Sequence, residues 1–156
     1  MICNNKMKEL LSNIDLSTIE AKNYYSISQK ENSNNEKYWI INKEIDCSIY
    51  HTHLIGKDLS NYEYKENEIY LANSIKVEEV FNLGIKIFVS IKNILKDNYS
   101  DIKFDIIFYI DLGNDNINPS AIISFYAIRD NFRIIEKKDI NYMCSTKAFL
   151  IETINI

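Results

Sequence analysis

From Ile102 to Glu136 the chain reads as one strand after another, and the stretch from 120 to 136 has no room for a helix between them. Ile102, Phe104, Ile106, Phe108 and Ile110 alternate with Lys103, Asp105, Ile107, Tyr109 and Asp111. Residues 111–119 (Asp-Leu-Gly-Asn-Asp-Asn-Ile-Asn-Pro) are a loop by composition. Ala121 to Arg129 is apolar on both faces, as a central strand is. Asp130-Asn131 makes a two-residue turn into a further strand, Phe132 to Glu136. Parallel neighbours need a crossover of a dozen or more residues, so these strands must pair antiparallel.

One long helix precedes them. Between residues 75 and 97, Val77, Val80, Phe81, Phe88, Ile91 and Leu95 share one face, and Glu79, Asn82, Lys86, Ser90, Asn93 and Asp97 the other. Asn73 or Ser74 caps its start. Gly84 sits on the apolar face, where close packing against a strand would justify its cost of about 1 kcal/mol relative to Ala.

At the N-terminus, Met7, Leu10, Leu11 and Ile14 mark a helical face over 6–14. Ser17-Thr-Ile-Glu20 fits a capping box. Residues 32–36 are a polar surface loop. Tyr38 to His53 alternates with period two, as one strand or two with a bend near Asn42-Lys43. Lys57 to Tyr70 lacks a clean period and reads as a long loop or an irregular hairpin around Glu66-Asn67. Ala148 to Ile154 is the last strand. The order predicts a single α+β domain over 1–156: a mainly antiparallel sheet against the 75–97 helix, with an N-terminal helix.

Composition narrows the chemistry. Three residue types dominate, with 29 Ile, 20 Asn and 16 Lys among 156 residues, against 3 Gly, 1 Pro and 2 Arg. Gly56, Gly84 and Gly113 are too far apart for a phosphate-cradling loop. Ile fills strands and helix stripes while Asn and Lys fill loops. This pattern fits an AT-rich bacterial genome laid over an ordinary amphipathic plan. A net charge of −4 argues against a nucleic-acid partner. The start has no apolar signal region, and no apolar stretch approaches the roughly 20 residues of a membrane helix. Three widely spaced cysteines suit reduced thiols and a cytoplasmic location.

Catalytic motifs are absent: there is no Gly-x-Ser-x-Gly elbow. Cys144 or Cys3 with a histidine lacks the glycines of an oxyanion loop, and Asp111 to Asp115 breaks the calcium-loop rule. No cofactor is implied. Cys47, His51 and His53 are the metal-competent cluster, on one strand face with the imidazoles about 7 Å apart. They define one alternative, a metal-dependent enzyme. Another is a small-ligand binder with a pocket between the long helix and the sheet.

The leading expectation is a binding protein that is not an enzyme. Asp58, Tyr62, Glu63, Tyr64, Glu66, Glu68 and Tyr70 combine rigid aromatic area with carboxylates that attract a basic partner. The most concrete form is an immunity or inhibitor protein that neutralises a toxin with a basic domain. Few prolines guard the strand edges, so a homodimer is a further expectation.

Overall fold

The computed structural model describes residues 1–20, 22–43, 53–136, 138–140 and 147–156. In chain order the elements are β1 (Ile2–Cys3), α1 (Asn5–Leu11), a 3-10 turn (Leu16–Thr18), β2 (Ile27–Glu31), β3 (Lys37–Ile41), α2 (Gly56–Glu66), β4 (Ile69–Leu71), α3 (Val77–Asn98), β5 (Phe104–Asp111), β6 (Ser120–Ala127) and β7 (Lys147–Ile154). The main sheet has the order β1-β7-β5-β6-β4, and β2 and β3 form a separate hairpin. Every pairing is antiparallel. The expected α+β class holds. No described helix is long and apolar enough to cross a membrane.

β5 is central and pairs along all eight residues with both β6 and β7. Its alternation sorts two cores. Phe104, Ile106, Phe108 and Ile110 join Val80, Phe81, Phe88, Ile91 and Leu95 of α3. Ile107 joins Tyr126, Phe149 and Ile151 on the opposite face, where Ile135 and Ile140 cover them. Each large apolar side chain so buried contributes about 1.5–3 kcal/mol. A Cβ at Gly84 would lie 2.7 Å from the Phe108 ring, so α3 approaches β5 as closely as the sequence requires. The α3 N-cap is Lys76, without a side-chain capping bond. Ser74 acts two residues outside, accepting from the Lys76 N–H and donating to Glu79.

Asn4 caps α1 and extends the sheet edge at once. Its Oδ1 accepts from the N–H groups of Met7 and Phe149, and its Nδ2 donates to the Lys147 carbonyl. α1 ends at Leu11, earlier than expected. The next turn begins two residues before the expected capping box, on Asp15.

Three expectations change. The segment from Lys57 to Tyr70 is helix α2 followed by β4, not a loop. Its buried face includes Ser60, Glu63 and Asn67, so hydrophobic periodicity could not reveal it. β2 is an additional strand with the polar sequence Ile-Ser-Gln-Lys-Glu. Phe132 to Glu136 is not a strand. Asp130 and Asn131 both take positive φ, but the chain then leaves the ladder, and Arg133 turns inward to Asp105. The strand expected over 38–53 is present as β3; residues 44–52 lie outside the described residues.

Candidate functional site

α2 divides the expected partner-binding residues into two groups. Tyr62 and Glu63 point inward and are buried. Asp58, Glu68 and Tyr70 are exposed, and Tyr64 and Glu66 are half-buried.

The inward group builds a seam between the two sheets. Beyond β4, the edge of β6 meets side chains of α2 where another strand would otherwise sit. The Glu63 Oε1 accepts from the Trp39 N–H at 3.0 Å, and its Oε2 from the Ala127 N–H at 2.7 Å. Asn67 accepts from the Ile41 N–H and donates to the carbonyls of Trp39 and Phe125. Ser60 donates to the Ala127 carbonyl at 2.7 Å. β3 and β6 are thus joined through helix side chains at spacings of three and four.

Arg129 neutralises the seam. Its Nη1 and Nη2 each donate to one Glu63 oxygen at 2.8 Å, and Nη2 also reaches the Lys37 carbonyl. Burial pushes the Glu63 carboxyl upward from its ordinary value, and Arg129 with the two backbone N–H groups draws it back. The guanidinium also lies 5.8 Å from the Trp39 ring centroid. Glu63 is therefore committed internally and is not offered to a partner in this structure.

The outward group meets residues that the sequence left elsewhere. In register, Tyr70 pairs with Ile122, Ile122 with Tyr109, and Tyr109 with Phe149. Alternation therefore places all four on the sheet face away from α3. Tyr70 is 66% exposed at the β4 edge. The Tyr109 ring stacks on Phe149 with centroids 5.0 Å apart, and the Lys147 ammonium lies 5.4 Å from the Tyr109 centroid. Tyr64 stands edge-on to Tyr126 at 6.2 Å. Burial, Tyr109 and the Glu68 charge push the Tyr64 hydroxyl up to about 12. Burial, Glu68 and Asp111 raise that of Tyr109. Tyr109, Asp111 and Ile122 escaped sequence reasoning because alternation marked them as ordinary strand positions.

The metal candidates are not assembled by the described residues. Cys47 and His51 lie outside them. His53 is exposed, with Nδ1 3.2 Å from the Ser33 Oγ. No group of three or more His, Cys, Asp or Glu side chains among the described residues could hold a metal ion. Near the expected helix–sheet pocket, a cleft of about 400 Å3 lies at the margin between α3 and β7. Lys92 and Glu152 form an ion pair in it at 2.7 Å.

No family model, curated protein or solved structure matches the chain.

Proposed function

We propose that this is a small protein-binding protein that acts through the tyrosine and carboxylate face beside the β4 edge. The observation that carries it is the row Tyr70–Ile122–Tyr109–Phe149 in register on one sheet face, with Tyr70 and Glu68 exposed at the β4 edge. Tyrosines supply broad contact area with little rotamer freedom to lose, and each has a polar tip. Glu68 and Asp111 favour a partner that presents Lys or Arg, and such complementarity speeds docking. The most concrete form is an inhibitor or immunity protein that covers the active site of a basic toxin domain in a bacterial cytoplasm.

Affinity capture from the native host, followed by titration of the captured protein, tests this. Glu68→Lys and Tyr70→Ala should each weaken binding roughly tenfold or more, as residues central to an interface do. Asp58→Lys, at the far end of α2, should change it less. Unchanged affinity in both face variants would reject the assignment.

A further inference from the structure

A second site is suggested by a cleft of about 580 Å3 where the start of β2, the end of β3 and the end of α3 meet. Among the described residues that line it are Asn23, Tyr24, Tyr25, Asn42, Asn98 and Tyr99. Ser26 and two isoleucines complete the nine, and none of the nine is charged. Charged residues make up 26% of the whole chain. Asn and Tyr account for 31 of its 156 residues but six of these nine. Compositional bias alone would spread them more evenly and leave charges among them.

We propose that this cleft binds a neutral pyranose sugar. An ionic ligand would find no counter-charge among these side chains, so the cleft favours an uncharged one. Each carboxamide carries an acceptor oxygen beside a donor nitrogen, which matches neighbouring hydroxyls that both donate and accept. Asn42 uses its Nδ2 on the Ser26 Oγ, and Asn98 uses its Nδ2 on the Ile94 carbonyl. Neither carboxamide oxygen accepts a hydrogen bond among the described residues. Tyr24 lines the cleft and is 39% exposed, and an exposed tyrosine ring suits the C–H side of a sugar. Tyr99 is fixed from behind: its hydroxyl donates to the Ile27 carbonyl at 3.1 Å, and its ring stands edge-on to Trp39. Tyr99 is therefore held before any ligand arrives, which lowers the ordering cost of binding.

The test is a titration of the full chain, followed by backbone amide NMR, with glucose, galactose and N-acetylglucosamine, each to about 50 mM. Glucuronate and glucosamine serve as charged counterparts. At least one neutral sugar should give saturable shifts confined to residues 23–27, 42 and 94–99, with Kd of about 1–10 mM. Tyr24→Ala and Asn42→Ala should each weaken that binding about fivefold, the equivalent of one lost hydrogen bond or ring contact. Should Asn42→Ala fail to fold, Asn98→Ala replaces it, since that side chain bonds only within its own helix. No saturable shift, shifts elsewhere on the surface, or equal binding of the charged sugars would overturn the proposal.

Discussion

Glu63 and Asp105 are both fully buried carboxylates, and each is held by one of the only two arginines in the chain. Their surroundings differ in kind. Glu63 accepts from backbone N–H groups on β3 and β6 as well as from Arg129. The donors to Asp105 are all side chains: Arg133, the Tyr126 hydroxyl at 2.9 Å and the Thr153 hydroxyl at 2.6 Å. One carboxylate holds two sheets together, while the other completes a side-chain cluster on a sheet already paired through its backbone. Burial alone does not set the importance of an ion pair; what else shares the charge does.

The largest expected effect follows from that contrast. Glu63→Ala leaves Arg129 without its counter-charge and two backbone N–H groups without an acceptor, and should cost about 3–5 kcal/mol in urea unfolding. It should also speed hydrogen exchange at the Trp39 and Ala127 amides. Asp105→Ala strips an acceptor only from side chains, which can turn to one another or to solvent, and should cost less, about 2 kcal/mol. Equal losses would end the distinction.

Lysine replacement sharpens it. Arg129 uses both terminal nitrogens on Glu63, a fork that an ammonium cannot copy. Arg133 makes its contacts to Asp105 and Thr153 through Nη1 alone. Arg129→Lys should therefore cost about 2–3 kcal/mol and Arg133→Lys under about 1 kcal/mol. Comparable losses would show that both pairs act as simple charges.

The smallest effect is confined to alkaline solution. The Tyr64 hydroxyl is pushed up to about 12, and burial raises that of Tyr126 as well. An unfolded tyrosine ionises near about 10. Below that value both states are neutral and the full stability is present. As pH rises above it, the unfolded chain loses protons that the folded chain keeps, so stability falls up to the folded values. Tyr64→Phe should leave the neutral-pH midpoint almost unchanged and lessen this alkaline fall. An identical pH profile would place Tyr64 outside the linkage.

The sequence made α3, β5, β6 and β7 legible because their buried faces are apolar and their periods regular. It hid α2, whose inward face carries Ser60, Glu63 and Asn67, residues that read as solvent-facing in any hydrophobic pattern. It hid β2 for a related reason: of its five residues only Ile27 is buried. The outward half of the candidate face was visible as Glu68 and Tyr70. Its other half, Tyr109, Asp111 and Ile122, depends on cross-strand register, which joins Tyr70 to a position 52 residues away and leaves no local trace. Trp39 and Gly84, uncommon residue types in this chain, both proved to sit at tight contacts.

The helix seam also bears on alignment errors. Two strands joined by their own backbones can slip by two residues and still make equivalent bonds with the same faces inward. β3 and β6 do not have that freedom. Glu63 and Asn67 present one carboxylate and one carboxamide at fixed places along the helix, and a shifted hairpin would find neither opposite Trp39 and Ile41. α2 therefore works as a key as well as a brace: it admits one setting of the β2–β3 hairpin and leaves its neighbours without partners.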